Sequence, residues 1–288
     1  MPSGIIVIDK PTDWTSHDVV AKLRGRFKER RIGHAGTLDP MATGILPVFV
    51  GRATRAVEFA SEGEKEYIAG LRLGLETDTQ DITGTILSSN PVHVSKEKVL
   101  EVLPSYCGDL LQIPPMYSAI KLQGKKLYEL ARAGKEVERT PRPITIFSLS
   151  LLEQVSETDF LLRVACSKGT YIRTLCHDIG VSLGCGACLY SLRRTMAAGF
   201  TEGESVTLDQ VLNAESPERL LMPVDSYFKQ YPSLCVDKAA ECKIRNGASF
   251  PYEGFDGFYR VYNENQDFLM LGKIEQNQLI TVKSFFEV

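Results

Sequence analysis

The densest group of residues able to do chemistry is the segment 33–44, which reads GHAGTLDPMATG. Its three glycines permit backbone conformations and close approaches that a side chain would block. Pro40 steers Asp39 toward extended geometry and so holds its carboxylate on a stiffened loop. Five residues after His34, this acid can serve as a nucleophile or a general base. An equally good interpretation is an Asp-Pro turn in which Asp39 caps the next helix and His34 only packs.

A second candidate is the segment 166–173, CSKGTYIR, which follows a predicted strand and opens a predicted helix. Its backbone N–H groups can receive a phosphate at the start of that helix. Arg173 can instead pair with a buried carboxylate, which a bidentate guanidinium would keep ionised. Arg–carboxylate pairs are often purely structural, so the residues alone leave the role of Arg173 open.

A third candidate is Tyr67, which ends the segment EKEY at the start of a predicted strand. Its ring can stack on a nucleic-acid base. The commoner outcome for such a tyrosine is a place in the core or at the edge of a sheet. The pattern therefore marks Tyr67 without choosing between the two roles.

Cys185 and Cys188 form a CxxC pair that suggests a zinc site. Structural zinc sites usually draw on two such pairs, and this chain offers one, so we expect both cysteines to be packing residues. The chain contains no GxxxxGK[ST] loop, no dinucleotide-binding GxGxxG and no HExxH. Nucleotide hydrolysis, hydride transfer and metalloprotease chemistry therefore lack their usual signatures.

The elements that must position these residues are mixed in type. We predict strands at residues 4–10, 66–75, 144–152 and 160–166, an apolar run at 45–50, and helices after the Thr15–Ser16 cap and at 94–103, 126–133, 170–183 and 189–193. Residues 104–117 are predicted to be irregular. Because there is no regular βαβ alternation, we expect an α+β body with an antiparallel or mixed sheet.

The character of the chain changes after residue 228. Short β-rich pieces then alternate with Asn-Gly, Glu-Gly and Asp-Gly turns, and residues 258–262, 268–271 and 279–282 are predicted to be strands of a small barrel or sheet. A length of 288 residues suggests about two domains. We therefore predict domains at residues 1–228 and 229–288.

The overall charge of −3 argues weakly against a protein coated by nucleic acid, but the charge is uneven. Residues 22–31 carry six basic side chains against one acid, and residues 121–142 carry seven against three. These segments can form a stripe along a phosphate backbone, or they can be solvated helix faces.

The longest charge-free stretches have 14 residues, too short for a spanning helix, and residues 1–10 do not resemble a secretory signal. Seven cysteines, an odd number, fit reduced thiols in the cytosol.

Five blocks in this order resemble the TruB family of bacterial tRNA pseudouridine-55 synthases. They are Lys10-Pro11, GHAGTLDPMATG at 33–44, KEY at 65–67, SKGTYIR at 167–173 and LRR at 192–194. The similarity runs from about residue 4 to residue 225, nearly four-fifths of the chain. The segment after Tyr231 is similar to a short PUA-type RNA-binding domain, mainly in Arg245-Asn246-Gly247 and its β-rich pattern.

The resemblance implies an α+β pseudouridine synthase domain followed by a small β-rich, PUA-like domain. It implies conversion of uridine 55 in the T stem-loop of tRNA, with no metal, organic cofactor or guide RNA. Asp39 falls on the family's catalytic aspartate, and the positions lining the substrate pocket are His34, Tyr67, Tyr171, Arg173 and Leu192. Lys10 and Pro11 are interpreted as support for the catalytic loop, and Arg193 and Arg194 join the basic segments as phosphate contacts.

Several alternatives stay open at this point. Asp39 can attack C1′, attack C6 or remove the C2′ proton. A non-catalytic tRNA-folding chaperone could use the same surface, although such a protein would be expected to lose Asp39. A guide-dependent ribosomal RNA synthase shares the motif but usually has a lysine-rich tail, whereas residues 231–288 carry eight acids and six bases. We predict a stand-alone, monomeric enzyme of the cytoplasm.

Overall fold

The computed structural model describes residues 2–122 and 124–286. The helices are α1 (Ser16–Phe27), α2 (Val57–Glu62), α3 (Lys96–Val102), α4 (Leu127–Arg132), α5 (Ile172–Ser182), α6 (Leu208–Asn213) and α7 (Lys238–Arg245). Short 3-10 helices occupy 51–56, 103–106, 202–204, 217–220 and 224–228. Within the described ranges, no helix is long and apolar enough to cross a membrane.

The first fourteen strands belong to the large sheet or to two small hairpins. They are β1 (Gly4–Lys10), β2 (Ile32–His34), β3 (Thr43–Val50), β4 (Lys65–Leu73), β5 (Leu75–Thr77), β6 (Ile86–Ser89), β7 (Gly108–Gln112), β8 (Lys121–Leu122), β9 (Lys125–Lys126), β10 (Arg142–Gln154), β11 (Asp159–Cys166), β12 (Ala187–Ala197), β13 (Phe200–Thr201) and β14 (Ser205–Thr207). The large sheet has the order β14-β1-β3-β12-β4-β11-β10-β7, with β2 added to β3 and β13 to β12. Two of its pairings, β1–β14 and β3–β12, are parallel. The predicted mixed sheet is confirmed.

Helix α1 shows how the local sequence builds one layer over this sheet. Thr15 caps the helix by accepting from the Asp18 amide at 3.0 Å, while the Asp18 carboxylate accepts from the Thr15 amide at 2.9 Å. This reciprocal pair satisfies two of the free amides at the helix start. The apolar face of α1, including Leu23 and Phe27, packs with buried residues of β1 and β3. The predicted strand at 4–10 and the Thr15 cap are both confirmed.

Two sequence-based predictions are wrong. Residues 189–193 are not helical but lie within β12, a central strand hydrogen-bonded to both β3 and β4. Pairing on both edges outweighs the local preference for a helix. Residues 104–117 are not wholly irregular, because they include β7, the edge strand beside β10.

The C-terminal part of the chain forms a separate five-stranded sheet. Its strands are β15 (Ser233–Cys235), β16 (Phe250–Pro251), β17 (Gly257–Tyr262), β18 (Phe268–Glu275) and β19 (Gln278–Ser284), in the order β15-β17-β18-β19-β16. The three strands predicted here are confirmed. The two sheets meet at an aromatic cluster in which Phe228 contacts Phe285 at 5.7 Å and Phe268 at 6.2 Å between ring centroids. The domain division at 228 stays a prediction, and its outer ends at residues 1 and 288 lie outside the described residues.

Candidate active site

The loop between β2 and β3 carries Asp39 and is anchored by a buried lysine. Lys10 is fully buried at the end of β1 and donates from Nζ to the carbonyls of Pro11, Trp14 and Pro40 at 2.8, 2.7 and 3.2 Å. Burial lowers the pKa of Lys10 to about 8. The carbonyl of Pro40 follows Asp39 directly, so Lys10 holds the loop at the residue next to the carboxylate.

A buried arginine anchors both ends of the same loop. Arg194, only 1% exposed, donates from Nε to the Ile45 carbonyl at 2.7 Å and from Nη2 to the Gly36 carbonyl at 3.1 Å. Gly44 has φ of +98°, and a Cβ there would lie 2.2 Å from the Arg194 carbonyl oxygen, so this turn requires glycine. The predicted contact of Arg194 with a backbone phosphate is wrong, because the side chain is buried and its guanidinium donates hydrogen bonds to carbonyls of the protein.

Arg173 and Asp39 form an ion pair across 134 residues of sequence. Arg173 Nε lies 3.0 Å from Asp39 Oδ2, and Nη2 donates to Oδ1 at 3.4 Å. The same guanidinium donates to the Thr79 carbonyl at 3.1 Å and the Tyr117 carbonyl at 2.9 Å, and lies 3.6 Å from the Asp81 carboxylate. Arg173 therefore forms the carboxylate pair that the sequence allowed, and its partner is Asp39.

The environment of Asp39 pulls its pKa in two directions. Burial raises the pKa above that of an ordinary aspartate, the Arg173 guanidinium lowers it again, and Asp81 adds a smaller raising effect. The carboxylate still keeps 38% of its side-chain surface open to the cleft. Asp39 is thus a partly desolvated acid, held in place by an arginine and accessible to a ligand.

Asp39 and Arg173 line a cleft of about 440 Å³. Tyr67 from β4, Tyr171 before α5 and Leu192 from β12 form its walls. Burial raises the pKa of both phenols, so both stay neutral near pH 7. The structure brings these five predicted residues together around one cavity, to which they contribute two aromatic rings, one apolar side chain and one ion-paired carboxylate.

His34 does not line this cleft. It lies at the end of β2 and meets His17 edge to face, with 5.7 Å between the ring centroids. Burial lowers the pKa of His34 to about 4, with His17 and Arg194 adding to the effect. His34 is therefore a neutral ring near Asp39 in sequence but outside the cavity wall.

Comparison with known families identifies the chain. A model described as TruB family pseudouridylate synthase (N terminal domain) matches residues 24–172, more than half of the chain. A model of the tRNA pseudouridylate synthase B C-terminal domain matches residues 173–229. The chain belongs to the TruB family.

TruB relatives and solved structures agree with this assignment. A protein of Clostridium kluyveri named tRNA pseudouridine synthase B is 42% identical and covers 98% of this chain and 99% of its own. Its namesake in Syntrophotalea carbinolica is 49% identical and covers 81% of this chain and 77% of its own. A chain in the crystal structure of a Cbf5-Nop10-Gar1 complex is 26% identical, with a TM-score of 0.75 over 98% of this chain and 85% of that one.

The structure adds two residues that the sequence patterns did not reveal in this TruB chain. Asp81 is 5% exposed, and its carboxylate lies 3.6 Å from Arg173 Nη1. Gln112 uses its amide to donate to the Tyr171 carbonyl at 3.0 Å and to accept from the Tyr171 amide at 2.8 Å. Both act at long sequence distance, and neither lies in a motif, so no local signal could have found them.

Other predicted features have mixed outcomes. Arg193 pairs with Asp9 at 3.0 Å and with Glu202 at 2.6 Å, so its charge is already engaged. Cys185 and Cys188 are buried free thiols, and no metal-binding group of three or more ligands occurs among residues 2–122 and 124–286. Exposed basic side chains remain in both basic segments, at Lys22, Arg24, Lys28, Arg30, Lys121, Lys125, Arg132 and Lys135.

Proposed function

We propose that this TruB-family chain isomerises uridine 55 in the T stem-loop of tRNA to pseudouridine, with Asp39 as the catalytic carboxylate. The observation that carries the proposal is the arginine-paired aspartate in a cleft that is also lined by Tyr67 and Tyr171. The relatives named tRNA pseudouridine synthase B support tRNA as the substrate.

The reaction requires one carboxylate and an enclosed, partly apolar space. The N1–C1′ bond breaks, the freed uracil turns and C5 joins C1′, while the C5 proton is lost to solvent and N1 gains a proton. Asp39 begins this by attacking C1′, attacking C6 or removing the C2′ proton. Arg173 favours the ionised form of Asp39 against burial. Tyr67 stacks on the detached ring, and Tyr171 and Leu192 confine it.

The uridine enters this cleft by leaving its stack. Flipping a base out costs a few kcal/mol, which contacts in the pocket and at the vacated position offset. A neutral imidazole is suited to fill an apolar gap between bases, and burial keeps His34 neutral. We assign His34 to the vacated position, in line with its place outside the cleft wall.

The exposed basic residues of the two basic segments supply phosphate contacts. Lys22 and Arg24 on α1, together with Lys121 and Lys125 on the β8–β9 hairpin, offer cations to solvent. Such contacts fix the register of the RNA and weaken as salt rises. The protein acts as a monomer in the cytoplasm, without a guide RNA, and residues 229–288 form a small RNA-binding domain that adds affinity.

No metal or organic cofactor is needed in this scheme, because Asp39 supplies the nucleophile or base and the isomerisation requires no oxidant, reductant or group donor. All the functional groups named above are supplied by the chain itself. Dialysis against a strong chelator should leave turnover unchanged. A large loss of activity that added zinc restores would revive the Cys185–Cys188 metal hypothesis.

The deciding experiment compares the wild-type protein with Asp39→Ala on a T stem-loop RNA whose uridines carry tritium at C5. Wild type should release tritium without metal or guide, and Asp39→Ala should release none while binding the RNA as tightly. Near-normal release by the variant would refute the role of Asp39. Tight binding without release by the wild type would favour the alternative, a tRNA-folding chaperone.

A further inference from the structure

One buried hydroxyl in the cleft has no hydrogen-bond partner of normal geometry within the described residues. Ser118 lies between β7 and β8, lines the same cavity as Asp39 and is 4% exposed. Its Oγ makes no hydrogen bond of normal geometry to any residue in the described ranges. Buried hydroxyls are normally satisfied, because an unpaired one loses its bonds to water without replacement. An exception inside a ligand cavity points to the ligand.

Neighbouring hydroxyls in the cavity wall are engaged. Ser167 Oγ accepts from the Thr145 amide at 2.9 Å, and Thr170 Oγ1 donates to the Ser167 carbonyl at 3.0 Å. Both hold the turn before α5. These two hydroxyls of the cavity wall are hydrogen-bonded within the protein, as buried hydroxyls normally are, whereas the Ser118 hydroxyl is not.

The backbone around Ser118 is held in place, so the hydroxyl has a defined position. The Ser118 amide donates to the Met116 carbonyl at 3.0 Å, and the Ser118 carbonyl accepts from the Tyr128 amide at 3.1 Å. The preceding carbonyl, of Tyr117, accepts from Arg173 at 2.9 Å. The guanidinium that orients Asp39 therefore also orients the segment carrying Ser118.

The chemistry of the site suggests what Ser118 contacts. The Tyr171 phenol is close enough for the Ser118 hydroxyl to lower its pKa in part, against the larger raising effect of burial. No hydrogen bond of normal geometry joins the two groups. A uracil ring held between aromatic walls exposes two carbonyl oxygens and one N–H at its edge. These polar atoms of the flipped base lose contacts with water on entering the cavity and need partners there.

We propose that Ser118 donates a hydrogen bond from Oγ to a carbonyl oxygen of the flipped uracil and so fixes the ring during isomerisation. The inference rests on the proposed function and goes beyond it by assigning a base-edge contact. Because the hydroxyl is preformed and unpaired, it can bind the base without first breaking a bond inside the protein.

The first test is Ser118→Ala, with Ser226→Ala as the matched control. Ser226 is another buried hydroxyl without a partner in the described ranges, but it lies in the 3-10 helix at 224–228, and it does not line the cleft. Ser118→Ala should lower kcat/KM about five- to tenfold, the worth of one neutral hydrogen bond. Ser226→Ala should leave it unchanged. The Tm of Ser118→Ala should stay level or rise, because the substitution removes an unsatisfied group.

The second test replaces one uracil oxygen by sulfur, a weaker hydrogen-bond acceptor. T stem-loop RNAs with 2-thiouridine or 4-thiouridine at the target are followed by nucleoside chromatography. For wild type, one of the two thio-substitutions should reduce the single-turnover rate severalfold. For Ser118→Ala, the same substitution should cause no additional loss, and this identifies the contacted oxygen.

The outcomes separate cleanly. Wild-type kcat/KM in Ser118→Ala would overturn the inference, as would a fall in Tm that accounts for the loss. A loss that both proteins suffer equally with the thio-RNAs would also overturn it, since Ser118 would then act without touching that oxygen. Failure of the wild type to convert ordinary uridine would instead defeat the proposed function itself.

Discussion

The cleft and the C-terminal sheet bury different kinds of side chain. Around the cleft the buried set includes Lys10, Lys65, Asp81, Arg173 and Arg194. The core of the C-terminal sheet is apolar. Among the described residues of this region, one polar side chain, that of Asn263, is buried.

Buried charges cost free energy unless they are fully bonded, so they are weak evidence for stability. Their concentration at the cleft indicates that they serve position and charge. Lys10 and Arg194 both bond to carbonyls of the loop that carries Asp39. The contrast predicts that substitutions in the cleft change turnover more than stability, and that substitutions in the C-terminal core do the reverse.

The largest effect is expected for Arg173→Met. Turnover should fall about 100-fold or more, because a preorganised charge in the site is lost. The lowering effect on the pKa of Asp39 also disappears, so that pKa rises further. Because the reaction uses the carboxylate and activity is lost as pH falls through this pKa, the acid limb of the pH–rate profile should move to higher pH. Single-turnover rates across pH measure both effects.

Arg72→Met is the matched control for this comparison. Arg72 makes a bidentate pair with Asp159, at 2.8 and 2.7 Å, on β4 and away from the cleft wall. Its loss should leave turnover within about twofold of wild type, since a partly exposed ion pair contributes little beyond modest stability. Equal losses from both substitutions would show that ion pairs matter only for folding here.

Tyr67→Leu should have the next largest effect. Loss of one base–aromatic stack should slow the chemical step about tenfold or more while RNA affinity changes by about threefold at most. Tyr259→Leu, on β17 of the C-terminal sheet, gives a comparison in which turnover stays normal. Parallel losses in rate and affinity for Tyr67→Leu would argue that the ring only binds.

His34→Gln should alter the pH dependence of stability. The folded pKa of His34 is about 4, below the ordinary value of 6.5. The unfolded chain therefore takes up a proton first as pH falls, and stability decreases between pH 6.5 and 4. Removing the imidazole should reduce that decrease by up to about 3 kcal/mol. Urea unfolding at pH 7 and pH 4.5 measures the unfolding free energy of both proteins. An equal loss of unfolding free energy between these two pH values in wild type and variant would contradict the prediction.

The smallest effect on turnover is expected for Leu269→Ala. Leu269 is fully buried in the core of the C-terminal sheet, and its truncation should cost about 2–5 kcal/mol of unfolding free energy. Turnover per folded molecule should remain normal. Leu162→Ala, in the core cluster that contains Tyr67 and Leu192, should lower both quantities. A tenfold drop in turnover for Leu269→Ala would break the distinction between the two regions.

Local sequence was sufficient for features governed by neighbouring residues. Thr15 and Asp18 are three residues apart and form the expected helix cap. The strands predicted at 4–10 and 160–166 follow from runs of apolar residues. Resemblance to the TruB family also predicted Asp39, Tyr67 and Arg173 as site residues, because the motifs that carry them are contiguous, and the structure places all three around one cleft.

Features that depend on residues far apart and outside those motifs could not be predicted. The segment 189–193 became strand because β4 pairs along one edge, while residues 80–82 bond to Leu189 and β3 pairs with Arg193. The clamp of Gln112 on Tyr171 spans 59 residues, and the unpaired state of Ser118 follows from the packing of its surroundings. No periodicity within one segment records which side chain will meet which.

Arg193 and Arg194 show, within two adjacent residues, what the sequence determined and what the tertiary structure decided. The sequence by itself determined two cations beside the apolar residue Leu192, and the basic pair predicted phosphate binding. In β12 successive side chains point to opposite faces of the sheet. Arg193 therefore reaches Asp9, while Arg194 enters the core and binds the Gly36 carbonyl. Only the tertiary structure decided this, because Asp9 lies 184 residues from Arg193 and Gly36 lies 158 residues from Arg194 along the chain.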